Sequence, residues 1–159
     1  MPGPLLRTHL ALADARLRLE RRDEAVVRTQ VAVSEIAAPT GEESERAEWV
    51  RRRFQALGLA NVRIDAAGNV IGRRAGSEHA EPVAVCAHLD TVFPRATDLR
   101  VRRDGTRLVG PGIGDNGRGL AVMLALAEEI DGRRLRTRRP LDFVATVGEE
   151  GLGDLRGAK

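Results

Sequence analysis

The sequence VAVCAHLD, residues 83–90, is an almost continuously apolar run that ends in a histidine and an aspartate. Such a run predicts a strand that is covered on both faces. A second run, PLDFVATV at residues 140–147, predicts another buried strand and opens into GEEG. Cys86, the single cysteine, lies inside the first run, where we expect it to fill a buried position. With no second cysteine an internal disulfide is excluded, which permits a reducing compartment.

Helical and short-strand patterns surround these two runs. Apolar residues recur at helical spacing over residues 5–20, 23–37, 42–57 and 118–130. Short strands are predicted at NVRID and NVIGRR, and a hairpin is predicted to turn at Asp104-Gly105. Thr40 is followed three residues later by Glu43, which predicts a capping box at the start of the third helix. Helices before and between buried strands predict an α/β fold, a mixed sheet layered by helices.

Length and composition indicate one globular domain. The chain has 159 residues, of which 42% are hydrophobic and 31% charged. No apolar run approaches the roughly 20 residues that a membrane-spanning helix needs. Near the N-terminus Arg7, Asp14 and Arg16 interrupt the apolar residues, which is not typical of a signal peptide. We therefore expect a cytoplasmic protein that does not enter the membrane.

The net charge of +3 raises the question of nucleic-acid binding. Most cations lie among acids, the chain has no tyrosine, and aromatic residues make up 3% of it. A platform for stacking bases is therefore not expected, and nucleic acid is an unlikely partner. The densest group of cations could instead contact an acidic partner; it comprises Arg133, Arg134, Arg136, Arg138 and Arg139.

Candidate site residues follow the predicted strands, at the sheet edge where α/β proteins gather their sites. His88 and Asp90 are two positions apart and lean to the same face, which suits a metal-binding imidazole held by a carboxylate. Taken alone, His88 is better explained as a structural histidine than as a metal ligand. Glu149 and Glu150 are adjacent acids, of which one could bind a metal and the other contact the water that the metal activates. Taken alone, this pair is an exposed acidic loop.

The glycine-rich stretch GPGIGDNGRG, residues 110–119, contains the spacing G-x-G-x-x-G. A phosphate cradle is disfavoured because Asp115, at the entry to the next helix, would repel a pyrophosphate. Asp115 could cap that helix, or the glycines could present its carboxylate to a cation. One histidine and three carboxylates at neighbouring strand ends suit zinc, manganese or cobalt.

Three segments together resemble the N-terminal part of the catalytic domain of a two-metal peptidase and deacylase family: CAHLDTV, GPGIGDNGRGLAVMLALA and TVGEEGLGDLRGAK. That family includes peptidase T (tripeptide aminopeptidase), glutamate carboxypeptidase, acetylornithine deacetylase, succinyl-diaminopimelate desuccinylase and aminoacylase. The upstream segments APTGEESERAEWVRRRFQALG and DAAGNVIGRR resemble its usual lead-in. The resemblance covers nearly everything after about residue 22 and implies an incomplete three-layer αβα fold of the zinc-dependent exopeptidase type. Residues 1–22 are then a helical extension.

The resemblance also implies a role for each candidate residue. His88 and Glu150 become ligands of two different metal ions, most simply zinc, and Asp115 bridges the two ions. Asp90 orients His88, and Glu149 is the general base that takes a proton from water and returns it to the leaving amine. The substrate implied is a di- or tripeptide or an N-acyl amino acid.

Some features of the family are not found in residues 1–159. The family uses a further acidic ligand and a distant histidine, yet no histidine follows His88, and the lid and dimerisation domain is missing. With three of five ligands, we expect the chain to hold at most one ion and to hydrolyse peptides poorly or not at all. An incompletely covered sheet should also favour self-association. The alternative is a degenerate, non-catalytic module that binds a partner through its arginine-rich face.

Overall fold

The computed structural model of the protein describes residues 4–131 and 135–159. Four helices occur in this part of the chain: α1 Pro4–Arg21, α2 Asp23–Ser34, α3 Ser44–Ala56 and α4 Gly119–Glu129. Six strands accompany them: β1 Ala60–Ile64, β2 Val70–Arg74, β3 Val83–His88, β4 Arg102–Asp104, β5 Arg107–Val109 and β6 Leu141–Thr146. The predicted α/β fold with a mixed sheet is confirmed. No helix in the described ranges combines the length and the apolar content needed to cross a membrane.

The main sheet has the strand order β1-β2-β6-β3, and β4 and β5 form the separate predicted hairpin. Strands β1 and β2 pair antiparallel, as do β2 and β6. Strands β3 and β6 pair parallel, in a continuous register from Val83 opposite Leu141 to His88 opposite Thr146. Because these two strands run in the same direction, their carboxyl ends meet at one edge of the sheet.

The hydrophobic core lies between the sheet and the helices. Along β6, Leu141, Phe143 and Ala145 are buried and alternate with partly exposed residues, as expected for a strand with one covered face. Their cluster includes Phe54 from α3 and Leu124 from α4, so both helices cover the same face. Helices α3 and α4 thus form one layer on this face of the sheet, as the incomplete αβα arrangement predicts.

Arg74 fastens the ends of the two covering helices to each other. Its guanidinium donates hydrogen bonds to the carbonyl of Leu57 at 2.7 Å and to the carbonyl of Ala127 at 3.1 Å. On the same face, a side chain at Gly72 would meet Leu59 Cδ1 at 2.9 Å. The absence of a side chain at Gly72 therefore allows α3 and the following loop to approach the sheet closely.

The expectation that the run over residues 83–90 is covered on both faces is wrong for most of β3. In the described part of the chain, β3 is an edge strand with β6 as its neighbour. Val83 is 40% exposed, and Cys86 is exposed rather than buried. The reason is geometric: Ala84 and Cys86 point to the face opposite the helices, whereas Val85 and Ala87 point towards them. Ala87, His88, Leu89 and Asp90 are buried, so the prediction holds at the carboxyl end.

The predicted capping box is also wrong. Glu43 occupies the N-cap position of α3, and no side chain caps this helix. The Thr40 hydroxyl instead donates a hydrogen bond to Asp90 at 2.9 Å. Glu43 accepts a hydrogen bond from the N–H of Gly41 at 2.9 Å rather than from that of Thr40. The Thr40 side chain is thus used in a long-range contact just after β3, and the Glu43 side chain contacts the loop before α3.

Candidate metal centre

The parallel pairing of β3 and β6 brings together the acidic and imidazole groups singled out in the sequence. His88 is the last residue of β3, and Glu149 and Glu150 follow β6 closely. One ligand atom from each of these three residues lies within 4.8 Å of the other two. The imidazole is buried, Glu149 is exposed and Glu150 is partly exposed, so the cluster opens to solvent on its acidic side.

Asp115 completes this cluster from a different segment. Its Oδ1 lies 2.8 Å from His88 Nε2, and Glu149 Oε2 lies 3.8 Å from the same nitrogen. The side chain of Asp115 is 78% exposed, compared with 8% for His88. The four groups therefore form one buried imidazole facing three carboxylates, which is a set of oxygen and nitrogen donors suited to a divalent cation.

Asp115 is carried by a wide turn, Ile113–Arg118, that leads directly into α4. Within this turn, the peptide bond between Asp115 and Asn116 is cis. Gln30 of α2 fastens the turn by donating a hydrogen bond to the Ile113 carbonyl at 2.7 Å. The turn packs so closely on α2 that a side chain at Gly117 would meet Ser34 Oγ at 2.0 Å.

The glycines of this stretch provide close packing rather than a phosphate cradle. Gly112 has a φ of 65°, and a side chain there would meet the Thr91 methyl group at 2.8 Å. The N–H of Gly117 donates to the Gly112 carbonyl at 3.0 Å and is not directed towards a ligand. The arrangement agrees with the interpretation that the glycines present the Asp115 carboxylate.

Asp90 organises the acidic pair more directly than it holds His88. Its Oδ1 accepts the N–H of Glu149 at 3.0 Å, and its Oδ2 accepts the N–H of Glu150 at 2.9 Å. The Nδ1 of His88 lies 3.0 Å from the main-chain oxygen of Asp90 and 3.6 Å from its carboxylate. The hydrogen-bond partner of His88 Nδ1 is therefore the Asp90 carbonyl, while the Asp90 carboxylate accepts from the backbone of the loop that follows β6.

The surroundings shift the pKa values of both buried groups. Burial lowers the pKa of His88, but hydrogen bonds with Asp90 and Asp115 and the charge of Glu149 outweigh it and raise the pKa to about 9. Burial raises the pKa of Asp90, but the neighbouring His88 imidazole and the hydrogen bonds from the two glutamate N–H groups and from Thr40 hold it well below its usual range. Both shifts reflect a site that stabilises positive charge among carboxylates.

A buried arginine holds the backbone between His88 and Asp90, just after β3. Arg46 of α3 is almost completely buried and donates to the Leu89 carbonyl at 2.6 Å and to the Ile36 carbonyl at 3.0 Å. Burial lowers the pKa of Arg46 to about 10, although the nearby charge of Asp90 opposes this shift. Arg46 thus connects α3, the end of α2 and the peptide between His88 and Asp90.

Sequence reasoning did not assign the supporting residues Gln30, Thr40 and Arg46 to the site. Thr40 and Glu43 carried a signal, the three-residue spacing, but this spacing pointed to a helix cap. Arg46 carried a weaker signal, because an arginine in helical register with the buried residues Ala47, Val50 and Phe54 is unusual. Gln30 carried no signal of this kind.

An open pocket of about 560 Å³ continues from the two segments that carry the cluster. Thr91 follows Asp90, Gly151 follows Glu150, and both line this pocket. Its walls are largely apolar, with Arg156 as the one charged residue among them; the remaining lining residues include Val92, Phe93, Pro94 and Leu152. The pocket is thus lined by the chain neighbours of Asp90 and Glu150 rather than by the carboxylates themselves.

The arginine-rich segment is tied to its own surroundings where it can be described. Arg138 forms an ion pair with Glu78 at 2.8 Å, and Arg139 donates to the Glu81 carbonyl at 2.7 Å. Two further members of the cluster, Arg133 and Arg134, lie outside the described residues. These contacts do not favour the alternative of a partner-binding module.

Proteins with similar sequence or structure include two peptidases and a protein described as uncharacterized. The uncharacterized protein YqjE of Bacillus subtilis is 29% identical over 139 residues, which cover 79% of this chain and 36% of that protein. A tripeptidase from Staphylococcus aureus is 27% identical with a TM-score of 0.67, covering 78% of this chain and 36% of its own. Aminopeptidase PepT from Bacillus cereus is 22% identical with a TM-score of 0.69. The match covers 80% of this chain and 37% of the aminopeptidase. The chain thus spans about a third of the length of these relatives.

The family comparison agrees with the resemblance drawn from the three sequence segments. The model of peptidase family M28 matches residues 69–159, more than half of the chain. The matched region includes His88, Asp90, Asp115, Glu149 and Glu150. The chain therefore belongs to peptidase family M28.

Proposed function

We propose that the chain is part of an enzyme that hydrolyses an amide bond in a di- or tripeptide or an N-acyl amino acid with the help of divalent metal. The observation that carries this proposal is the convergence of His88, Asp115, Glu149 and Glu150 at one solvent-facing edge of the sheet. Family membership and the similarity to a tripeptidase support the same substrate class. Because the chain spans about a third of these relatives, the activity is a proposal for the whole protein.

Three residues of the cluster suit the role of metal ligands. His88 offers Nε2, and Asp115 and Glu150 offer carboxylate oxygens, so His88, Asp115 and Glu150 would hold the ion. Zinc fits this mixture of nitrogen and oxygen donors, as do cobalt and manganese. A bound ion would supply polarisation of the amide carbonyl and a lower pKa for the attacking water. In this chain we expect at most one ion.

Glu149 is suited to move the proton. Its carboxylate is about half exposed and lies 3.8 Å from His88 Nε2, so it borders the cluster without being enclosed by it. In the proposed reaction Glu149 accepts a proton from water and gives it to the leaving amine. Asp90 keeps Glu149 and Glu150 in place through their N–H groups. The adjoining pocket gives space for the substrate groups beside the amide.

Metal binding is the decisive test of this proposal. We would titrate the purified chain with Zn²⁺ by calorimetry and with Co²⁺ by visible absorption, beside His88→Gln and the matched control His79→Gln. His79 is exposed and lies outside the cluster. We expect binding near one equivalent in the wild type and in His79→Gln, and its loss in His88→Gln. Equal binding by all three proteins, or none by the wild type, would overturn the proposed metal centre.

A hydrolysis assay distinguishes the proposed role of Glu149 as general base from the role of a metal ligand. Tripeptides and N-acyl amino acids would be offered to the zinc-loaded chain, with and without EDTA, and to Glu149→Gln. We expect slow turnover that EDTA removes and that Glu149→Gln loses while it still binds zinc. Turnover by Glu149→Gln at the wild-type rate would contradict its role as the base.

A further inference from the structure

Glu43 is a second buried carboxylate beside the acidic pair, and no part of the proposed reaction uses it. The residue is 4% exposed at the N-cap of α3. Its Oε1 accepts hydrogen bonds from the N–H groups of Gly41 at 2.9 Å and Gly148 at 3.1 Å. Arg156 Nη2 lies 3.1 Å from each of its two oxygens and balances its charge.

The contact with Gly148 joins the set of hydrogen bonds made by Asp90. Gly148, Glu149 and Glu150 are consecutive, and each directs its N–H to a buried carboxylate, the first to Glu43 and the next two to Asp90. Gly148 has a φ of 64°, a conformation that glycine adopts without strain. The backbone that leads into the acidic pair is therefore held at three successive positions by two carboxylates.

We propose that Glu43 is a positioning residue, which acts through the backbone of Gly148 to set the direction of the Glu149 and Glu150 side chains. Fixing three successive N–H groups limits the rotation of the peptide planes, and these planes determine where each side chain leaves the chain. Charge-assisted hydrogen bonds of this kind are stronger than neutral ones. The role in metal binding rests on the proposed function, whereas the restraint on the backbone does not.

A purely structural role for Glu43 predicts a different pattern. If Glu43 served only to begin α3, its removal would loosen the first turn of α3. Its side chain, however, makes no capping hydrogen bond to that helix. Its contacts are instead with Gly41, Gly148 and Arg156. Loss of Glu43 should therefore increase local opening in the loop over residues 148–150 more than in α3.

The first readout is amide hydrogen exchange in the metal-free chain, which NMR measures residue by residue. We would compare the wild type, Glu43→Ala, Glu43→Gln and the neighbouring control Glu42→Ala, whose residue is exposed and pairs with Arg95. In Glu43→Ala we expect exchange at Gly148, Glu149 and Glu150 to rise about tenfold or more, because local opening becomes easier. Exchange in α3 should stay unchanged. Glu43→Gln, which keeps an acceptor oxygen, should show a smaller rise, and Glu42→Ala none.

The second readout is zinc affinity, which should fall about tenfold or more in Glu43→Ala, as is typical when a residue that orients a ligand is lost. Unchanged exchange over residues 148–150 in both Glu43 variants would overturn the positioning role, and so would a rise confined to α3. If Glu43→Ala does not fold, the exchange rates and the zinc affinity of Glu43→Gln test the positioning role instead. A wild type that binds no zinc would overturn the proposed function, while the exchange data would still decide the role of Glu43.

Discussion

The carboxylate of Asp90 accepts the main-chain N–H groups of both Glu149 and Glu150, at 3.0 and 2.9 Å. Because Asp90 is completely buried, these hydrogen bonds form away from water, where an unpaired group is costly. One side chain at the end of β3 thus fixes the backbone of two acidic residues that follow β6.

Asp90→Asn should destabilise the metal-free chain by about 2–4 kcal/mol, because an amide NH₂ replaces one of the acceptor oxygens. Urea unfolding measures this change. Asp104→Asn, at an exposed position of the hairpin, is the control and should stay within about 0.5 kcal/mol of the wild type. Equal stability of the two variants would show that the Asp90 carboxylate is not needed for these contacts.

Gly117→Ala should cost about 1–3 kcal/mol of unfolding free energy, since the added methyl group would lie 2.0 Å from Ser34 Oγ. That buried hydroxyl has no hydrogen-bond partner among the described residues, so Ser34→Ala alone should be nearly neutral. The double variant should regain part of the loss. Gly114→Ala is the control because no atom lies within 4 Å of its added carbon. Strict additivity of Gly117→Ala and Ser34→Ala would contradict the close approach.

Arg46→Met should destabilise the chain by about 2–4 kcal/mol, because it leaves the buried carbonyls of Leu89 and Ile36 without their donor. Zinc affinity should fall as well, since Leu89 lies between His88 and Asp90. The control is Arg52→Met, an exposed arginine on the same helix. The comparison needs denaturant unfolding and a zinc titration of each protein; similar values for the two variants would exclude a special role for Arg46.

Asp65 should make stability depend on pH. Its carboxylate accepts the N–H groups of Ala67, Gly68 and Asn69 at 2.9–3.0 Å. Burial raises its pKa, but these hydrogen bonds, with that of the Asn69 side chain, bring the pKa below 3.8. A lowered pKa stabilises the fold above the unfolded value of 3.8, and this stabilisation is lost as the pH falls through the folded value.

Asp65→Asn should therefore be less stable than the wild type by about 1–2 kcal/mol near neutral pH. The difference should narrow as the pH is lowered below 3.8. Urea unfolding of both proteins across this range provides the measurement, with Asp104→Asn as the exposed control. A difference that stays constant across the range would mean that the charge of Asp65 is not involved.

The exposed edge of β3 should promote self-association at high protein concentration, because unpaired edge strands invite pairing with another chain. Val83 is 40% exposed on this edge. Val83→Lys should reduce association in sedimentation velocity, whereas Val122→Lys, at a 47% exposed position on α4, should not. A monomeric wild type at high concentration would disprove this expectation.

Much of the fold could be predicted because its signals are local. The helices and strands follow from apolar periodicity, and the convergence of His88 with Glu149 and Glu150 follows from the rule that parallel strands end at one edge. The exposure of Cys86 could not be predicted, since an apolar run records composition and not which faces other elements cover. The role of Glu43 was equally hidden, because its partner Gly148 lies 105 positions later in the chain.

Because the register between β3 and β6 is continuous, the lengths of these two strands determine where the site residues at their ends lie relative to each other. Each strand is six residues long, and the pairs run from Val83 with Leu141 to His88 with Thr146. Deleting one residue from either strand would draw its terminal group back by about 3.3 Å and turn it to the other face of the sheet. We therefore expect a change in chain length to disturb the site when it falls within these strands and not when it falls in the connections before them.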